Sequence, residues 1–398
     1  MLNSNRRSFM KQMLLAAAGI VALAGGFAAQ VQAAPKAKTV ILFIGDGTGP
    51  EQIRAAHMYK GEDLSFELFP YRAQVTTRST SPVTDSAAAA TAIAAGVKVK
   101  NGVLSLEIPG DGRPLKTMLE IFAEEGKWTG MVTTDEMTQA TPAAFASHVP
   151  SRKNTSEIAE FYLTHSRPNI MMGGGEAGME LSAAEREGYV TFSDAVGMKD
   201  AVEKAAKMEQ PMLCGLMGAG KFPYRHIDES KAESERVYGK QFPQLSEMTT
   251  AALSLLERNE DGFFLMVESA LVDKSGHAQL LEEDPVLRGC CNATEVIVLA
   301  EAVEAAVKWA KNRKDILIVV TADHETGGLT ILKNNGPGEF PSVQWAHKQH
   351  TGVPVMVYAW GAGAEQFAEA TDNTDLFRMI MNAAGREAER AEADAVAR

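Results

Sequence analysis

Short runs of apolar and β-branched residues recur along the chain, separated by stretches with helical spacing. The run Thr39–Ile44 reads Thr-Val-Ile-Leu-Phe-Ile, with no charged residue. An unbroken apolar run of this length is typical of a parallel strand that is buried on both faces. Comparable runs are Gly130–Thr133, Asn169–Met172, Gly262–Val267, Asp315–Val320 and Val353–Tyr358.

Helices are predicted between these runs, at Ser86–Ala95, Pro114–Glu125, Leu245–Asn259 and Thr294–Lys311. Strands that alternate with helices predict an α/β fold, here a three-layer α/β/α sandwich with a largely parallel central sheet. We expect residues 35–398 to form a single catalytic domain. The least regular stretch, within about 176–242, is expected to be an insertion or a cap.

The N-terminus has the pattern of an export signal. Arg6 and Arg7 precede an uncharged apolar stretch at 13–29, which leads into Val-Gln-Ala at 31–33. A basic segment, a short apolar segment and a small-x-small site are typical of a cleaved signal peptide, and the arginine pair indicates the twin-arginine export machinery. We therefore expect removal of residues 1–34, a periplasmic or extracellular location and no stable membrane anchor, the alternative being an uncleaved N-terminal anchor.

Composition narrows the class of partner. The chain has 398 residues, with 39 Lys+Arg against 51 Asp+Glu, and its formal net charge is −12. Nucleic acids and anionic membranes select basic surfaces, so we expect neither as the main partner. Three cysteines in a chain of this length do not make a disulfide framework.

Potential metal ligands follow several of the predicted strands. Ligands of parallel-sheet proteins bind beyond the carboxyl ends of the strands, so these side chains are expected to converge. Crowded carboxylates repel one another and call for a cation, and mixed oxygen and nitrogen ligands favour zinc, alone or beside a harder ion. Thr39–Ile44 leads into Asp46, Gly262–Val267 into Glu268, Asp273 and His277, and Asp315–Val320 into Asp323 and His324.

Ser86 is the candidate nucleophile. It lies in a run of small residues, Val83-Thr84-Asp85-Ser86 followed by four alanines, where a helix is predicted to begin. The free N–H groups and the dipole of a helix N-terminus favour an alkoxide and also the phosphate that it attacks. The chain has no Gly-x-Ser-x-Gly elbow around Ser86, which argues against a hydrolase of the Ser-His-Asp type.

Taken together, these residues resemble the alkaline phosphatases, zinc-dependent phosphomonoesterases with a serine nucleophile. The resemblance covers nearly all of residues 39–385, and its segments occur in the family's order. They are Phe43-Ile-Gly-Asp-Gly47, the Asp85-Ser86-Ala run, Ala140-Thr-Pro-Ala143 with Ser151-Arg152, Glu268 to His277, Thr321-Ala-Asp-His324, and His350-Thr-Gly352.

The resemblance implies two Zn²⁺ and one Mg²⁺ per chain. It implies Ser86 as the nucleophile and Arg152 as the clamp of the phosphate. The implied ligands are Asp273, His277 and His350 for the first zinc, Asp46, Asp323 and His324 for the second zinc, and Thr141 and Glu268, with Asp46, for magnesium.

The implied reaction is hydrolysis of small phosphate monoesters through a phosphoserine intermediate on Ser86, with release of inorganic phosphate and an alcohol. One position departs from the family pattern: Gln139 stands where relatives commonly carry Asp or His, next to the implied magnesium site. Lys274 is similar to a lysine that assists phosphate in some bacterial members. We expect Lys274 to lie near Gln139 without an ion pair between them.

Two alternatives remain open at this stage, a phosphodiesterase of the same superfamily and a catalytically dead phosphate-binding relative. A sulfatase is disfavoured because Ser86 is not followed by the x-Pro-x-Arg pattern of that branch. A diesterase has no need of Arg152, and a binding module has no need of Ser86 beside a complete ligand set. The oligomeric state, monomer or homodimer, is left open.

Overall fold

A computed structural model describes residues 36–279, 281 and 284–386 of the chain. The predicted export signal, residues 1–34, lies outside the described residues. Within those ranges, no helix combines the length and the apolar character needed to cross a lipid bilayer.

A nine-stranded sheet runs through the described part of the molecule. With strands numbered in chain order, its spatial order is β2 (Tyr71–Val75), β13 (Val355–Gly361), β8 (Ile316–Thr321), β1 (Thr39–Gly45), β7 (Phe263–Ser269), β3 (Trp128–Glu136), β4 (Ile170–Gly174), β6 (Leu213–Met217) and β5 (Val190–Phe192). Among these strands β13 runs antiparallel to both of its neighbours, and the other pairs are parallel. The predicted α/β class with a largely parallel sheet is confirmed.

The central strand β1 lacks the alternation of apolar and polar residues because both of its faces are buried. All seven of its residues are buried. Because successive side chains of a strand point to opposite faces, Val40, Leu42 and Ile44 join the hydrophobic core on one side of the sheet. Ile41 and Phe43 join the core on the other side. A strand covered by helices on both faces is therefore apolar at every position.

Helices cover both faces of the sheet. They are α1 (Pro50–Lys60), α2 (Ser86–Ala95), α3 (Met118–Glu124), α4 (Ala140–Ala146), α5 (Thr155–Phe161), α6 (Leu181–Arg186), α7 (Ala195–Ala205), α8 (Arg225–Glu229), α9 (Leu245–Leu256), α10 (Leu271–Gly276), α11 (Pro285–Ala310) and α12 (Asn373–Ala383). Two antiparallel ribbons complete the structure, formed by β10 (Leu329–Lys333) with β11 (Ser342–Trp345), and by β12 (His350–Thr351) with β9 (Glu325–Thr326).

Two helices begin at positions other than those predicted. The helix predicted from Thr294 begins at Pro285, because Asp284 accepts hydrogen bonds from the free N–H groups of the first turn. The helix predicted from Pro114 begins at Met118, after a capping box formed by Thr117 and Glu120. In both cases a side-chain cap lies at the boundary, which the apolar pattern alone does not locate.

The region 176–242, expected to be an insertion or a cap, contributes β5 and β6 to one edge of the sheet. These strands are short, and β5 pairs with β6 through three residues, Val190 to Phe192. The cysteines Cys214, Cys290 and Cys291 all lie within the described residues and are free thiols.

Candidate active site

Three neighbouring strands deliver acidic residues to one edge of the sheet. Ile44 of β1 lies opposite Glu268 of β7 on one side and Thr321 of β8 on the other. Asp46 lies two residues after Ile44 in the chain, and Asp323 lies two residues after Thr321. The register therefore brings the three carboxylates together beyond the carboxyl ends of the strands, where parallel sheets place their sites.

The first group of predicted zinc ligands converges on one carboxylate oxygen. Oδ1 of Asp273 lies 3.2 Å from Nε2 of His277 and 3.3 Å from Nε2 of His350. The two Nε2 atoms are 3.0 Å apart. Asp273 and His277 lie one helical turn apart at α10, and β12 contributes His350 from a distant part of the chain.

The second group, Asp46, Asp323 and His324, is buried. Nε2 of His324 lies 3.5 Å from Oδ1 of Asp46 and 3.1 Å from Oδ2 of Asp323. Oδ1 of Asp323 is held by the backbone N–H groups of Gly47 and His324, at 3.1 and 2.8 Å. The ring of His324 stacks on that of His350 at 3.6 Å between centroids, so the two groups are contiguous.

A glycine allows the two groups to approach one another. Gly47 has a φ of +74°, and a Cβ atom at this position would lie 2.6 Å from the Cα atom of Asp273. A side chain at 47 would therefore collide with the backbone that carries a predicted ligand. Glycine is required here both for the left-handed conformation and for the close approach.

Ser86 begins helix α2 beside these groups. The carboxylate of Asp85 caps the helix by accepting a hydrogen bond from Ala88, which leaves Ser86 in the first turn. Oγ of Ser86 lies 3.3 Å from Nε2 of His324. The serine is almost completely buried, with 3% of its surface exposed.

Glu268 and Thr141, with Asp46, are the predicted magnesium ligands. Thr133 donates a hydrogen bond to Oε2 of Glu268. Thr141 lies in the first turn of α4, and its buried Oγ1 has no hydrogen-bond partner among the described residues. Both side chains are almost completely buried.

The carboxylates resist simultaneous ionisation. Burial raises the pKa of Glu268 to about 7 and that of Asp323 to about 6. Burial, followed by the charge of Asp323, raises the pKa of Asp46 well above its ordinary value. Burial also opposes the ionisation of Asp273, but hydrogen bonds from His277 and His350 hold its pKa well below its ordinary value. The cluster carries more buried negative charge than its own side chains neutralise.

The donor set fits divalent cations. Within the described residues, Oδ1 of Asp46, Oδ2 of Asp323 and Oγ1 of Thr141 are buried and lack hydrogen-bond partners. Such atoms are costly in a protein interior unless a ligand satisfies them. Two groups able to hold a metal ion are Asp273 with His324 and His350, and Asp46 with Asp323 and His324. His277 joins the first group through its contacts with Asp273 and His350.

Arg152 reaches the site from the loop after α4. Its Nη1 atom lies 3.2 Å from Oδ2 of Asp85, and its Nη2 atom lies 3.4 Å from Oε1 of Gln139. Asp85 thus caps the helix that begins at Ser86, the predicted nucleophile, and pairs with the guanidinium beside it. Asp85 is not among the residues predicted from the sequence, although it directly precedes Ser86 and aspartate is a preferred N-cap residue.

Lys274 forms an ion pair that sequence reasoning missed. Its Nζ atom lies 3.0 Å from Oδ2 of Asp135, near the end of β3. Gln139 instead donates to Glu136 at 2.6 Å and accepts from Arg152. The only sequence signal for Asp135 was its position after the predicted strand Gly130–Thr133.

Two further residues hold the loops that carry the ligands. Arg288 donates to the carbonyls of Ser275, Gly276 and His347, and its guanidinium stacks 3.8 Å from the ring centroid of Trp345. Glu325 accepts from Gln52 and Thr351 and so ties α1 to the ribbon of β9 and β12. Neither follows from sequence spacing, because their partners lie far away along the chain.

Comparisons of the sequence with known proteins all lead to the same family. A sequence model of the family described as alkaline phosphatase matches residues 37–342. The alkaline phosphatase of Escherichia coli (strain K12) is 32% identical over 420 residues, covering 88% of this chain and 86% of the relative. Alkaline phosphatase 3 of Bacillus subtilis (strain 168) is 33% identical, covering 87% and 88%.

A solved structure shares the fold. A mutant of the alkaline phosphatase from the Antarctic bacterium TAB5, with magnesium bound in its M3 site, superposes with a TM-score of 0.75 at 24% identity. The match covers 89% of this chain and 100% of the TAB5 chain. Together with the two ligand groups described above, the family match indicates that the activity depends on metal ions.

Proposed function

The chain belongs to the alkaline phosphatase family, and from that premise we propose that it hydrolyses phosphate monoesters through a phosphoserine intermediate on Ser86. The observation that carries the proposal is the position of Ser86. Its Oγ lies at a helix N-terminus and 3.3 Å from Nε2 of His324, itself a member of both ligand groups.

The residues of the chain divide the work of the first half-reaction. Ser86 supplies the attacking oxygen, and the first turn of α2 presents N–H groups to the developing negative charge. Ser86 gives up its hydroxyl proton to water, its oxygen attacks phosphorus, the bond to the ester oxygen breaks, and water protonates the departing alcohol. Water then attacks the phosphoserine, which releases inorganic phosphate and restores Ser86.

Divalent cations supply the Lewis acidity that a serine hydroxyl needs to react as an alkoxide near neutral pH. We propose two Zn²⁺ and one Mg²⁺, held by the three ligand sets named from the sequence. The carboxylates and imidazoles of the first two sets suit zinc, and the oxygen donors around Glu268 and Thr141 suit magnesium.

Arg152 sets the preference for monoesters. A guanidinium offers two parallel N–H donors, which match two non-bridging phosphate oxygens. A diester carries a substituent on one of these oxygens. The fork of Arg152, oriented by Asp85, therefore favours a monoester over a diester and argues against the diesterase alternative.

We also propose export by the twin-arginine machinery, which carries folded cargo. This proposal rests on Arg6 and Arg7 before the apolar stretch and on the small-x-small site at 31–33. Expression with the arginine pair changed to lysines, followed by cell fractionation, tests it: the variant is expected to remain in the cytoplasm.

The catalytic proposal is tested by the turnover of a chromogenic phosphomonoester, a phosphodiester and a sulfate ester, with and without chelator. We expect turnover of the monoester well above that of the other two and its loss on chelation. Ser86→Ala is expected to reduce turnover by at least about 10³-fold, because it removes the nucleophile.

The matched control is Ser182→Ala, which removes the hydroxyl of an exposed serine in the first turn of α6 and should leave the rate unchanged. Full activity of Ser86→Ala would show that another group attacks. Equal turnover of monoester and diester would contradict the role of Arg152, and metal analysis that finds no zinc in active protein would contradict the ligand assignment.

A further inference from the structure

A buried ion pair lies beside the ligand groups, and its acidic member is not one of the predicted metal ligands. Nζ of Lys274 is 3.0 Å from Oδ2 of Asp135, and their side chains are only 14% and 4% exposed. Lys274 directly follows the predicted ligand Asp273 on α10, and Asp135 lies near the carboxyl end of β3. The pair therefore joins two elements that build the site.

The carboxylate of Asp135 is fixed in orientation. Its Oδ1 atom accepts the backbone N–H of Glu136 at 2.9 Å, which leaves Oδ2 for the lysine. Its own N–H donates to Oγ1 of Thr133 at 3.0 Å, and Thr133 donates in turn to Glu268. The position of Asp135 is thus coupled to that of a predicted magnesium ligand.

Among the anions around Lys274, Asp135 is the nearest. Oδ2 of Asp273 lies 4.0 Å from Nζ. Gln139 is neutral, and its amide is engaged by Glu136 and Arg152. Without Asp135, the next partner of the ammonium would be Asp273, a residue whose oxygen is needed by the ligand group. An ammonium left in this interior without a partner would be costly, so it would shift toward that carboxylate.

We propose that Asp135 is a positioning residue, which holds the ammonium of Lys274 at the site so that it contributes to binding of the phosphoryl group and of inorganic phosphate. The inference rests on the proposed function and adds a residue to it. Asp135 supplies, from the end of β3, the negative charge that Gln139 does not provide.

The test is binding of inorganic phosphate to the metal-loaded protein, measured by calorimetry, in the wild type, Asp135→Asn, Lys274→Met and the double variant. Asparagine keeps an oxygen to accept the N–H of Glu136 but places an amide opposite the lysine. We expect Asp135→Asn to weaken phosphate binding about tenfold, with a matching rise in KM for a monoester and a smaller change in kcat.

The double variant separates positioning from general structural support. If Asp135 acts through Lys274, the double variant and Asp135→Asn should bind phosphate within about twofold of each other, since little remains for the lysine to contribute. This comparison holds even where Lys274→Met, which leaves Asp135 buried and unpaired, fails to fold. A double variant that binds phosphate tenfold more weakly than Asp135→Asn would overturn the proposal.

Asp228→Asn is the matched control. Asp228 is also buried, pairs with a lysine (Lys231, 3.4 Å) and accepts from the backbone, but it lies at the end of α8. Its substitution should lower the melting temperature and leave phosphate affinity unchanged. Unchanged phosphate affinity in Asp135→Asn would overturn the proposal, whereas failure of the proposed function would already be visible in the wild type, as absent monoester turnover.

Discussion

Backbone carbonyls orient the two histidines that we propose as ligands of the first zinc. Nδ1 of His277 lies 2.5 Å from the carbonyl of Lys348, and Nδ1 of His350 lies 3.0 Å from that of Thr84. A carbonyl only accepts, so each Nδ1 carries a proton and each Nε2 presents a lone pair when the ring is neutral. Both Nε2 atoms lie beside Oδ1 of Asp273, and the contact at Nδ1 fixes the orientation of each ring that a metal ligand needs.

At the same scale, Arg152→Lys tests the proposed role of the Arg152 guanidinium in clamping the phosphate. The substitution keeps the charge but removes the two parallel donors, so we expect kcat/KM for a monoester to fall about 10- to 100-fold. The ratio of monoester to diester turnover should fall as well, because a single ammonium does not require two free oxygens. Steady-state kinetics with both substrates measures the two effects.

The control for this experiment is Arg54→Lys, on the exposed surface of α1, where Arg54 lies 3.5 Å from Glu51. This substitution should change neither kcat/KM for the monoester nor the ratio of monoester to diester turnover. A uniform loss of monoester and diester turnover in Arg152→Lys would mean that Arg152 supplies charge alone and does not discriminate between substrates.

At the scale of single elements, helix α11 carries a glutamate, Glu295, in the protein interior. Glu295 is fully buried; its Oε1 accepts the N–H of Arg225 at 2.9 Å, and its Oε2 has no partner among the described residues. Burial raises the pKa of Glu295 to about 7, opposed by the hydrogen bond and the charge of Arg225. The carboxyls of Glu229 and Glu301 act in the same direction as burial.

This element therefore loses stability as the pH rises. The folded protein holds the proton of Glu295 more tightly than the unfolded chain, so its contribution to the free energy of unfolding falls between about pH 4.5 and 7. We expect Glu295→Gln, which keeps the acceptor for Arg225 and does not titrate, to gain up to about 3 kcal/mol relative to wild type between pH 5 and 8. Urea unfolding at the two pH values measures the difference.

Glu304→Gln on the same helix provides the comparison, since Glu304 is exposed and pairs with Lys308 at 2.8 Å. Its stability should follow that of the wild type at both pH values. If Glu295→Gln also did so, the carboxyl of Glu295 would be ionised already at pH 5.

For the molecule as a whole, the site is a concentration of charge at the edge of an apolar sheet. Asp46, Glu268 and Asp323 lie at the ends of strands whose side chains form the two cores. The same burial that stabilises the sheet raises the pKa of all three carboxyls. Bound cations would compensate this charge and link the stability of the whole domain to metal binding.

Removal of metal should consequently lower stability in a pH-dependent way. In the metal-free protein, the raised pKa values mean that stability falls as the pH increases toward about 7, where the carboxyls ionise without a counter-ion. Burial lowers the pKa of His324; burial also opposes protonation of His350, but the hydrogen bond and the charge of Asp273 raise the pKa of His350. We expect the difference in melting temperature between loaded and metal-free protein to be larger at pH 8.5 than at pH 6.0, by calorimetry.

If the melting temperatures of the loaded and the metal-free protein differed equally at the two pH values, the cations would not contact these carboxyls. Repetition of the measurement with Asp323→Asn, which removes one of the three charges, should reduce the pH dependence.

Much of this protein is determined by local sequence. Apolar runs such as Thr39–Ile44 predict buried parallel strands, because a strand covered on both faces has no polar position to spare. Since parallel strands end at one edge of the sheet, the acidic residues that follow them are predicted to converge, as Asp46, Glu268 and Asp323 do. The first residues of helices are predicted less accurately from the apolar pattern, because a capping residue such as Thr117 or Asp284 determines where a helix begins.

Only the tertiary structure decided which distant groups touch. The pair of Asp135 with Lys274, the guanidinium of Arg288 on Trp345, and the carbonyl of Thr84 at His350 each join residues far apart in sequence. No local pattern encodes such contacts, because they depend on strand order and on the packing of helices across the sheet. The sequence by itself determined the fold and the residues that meet at the site, and packing decided their partners, orientations and pKa values.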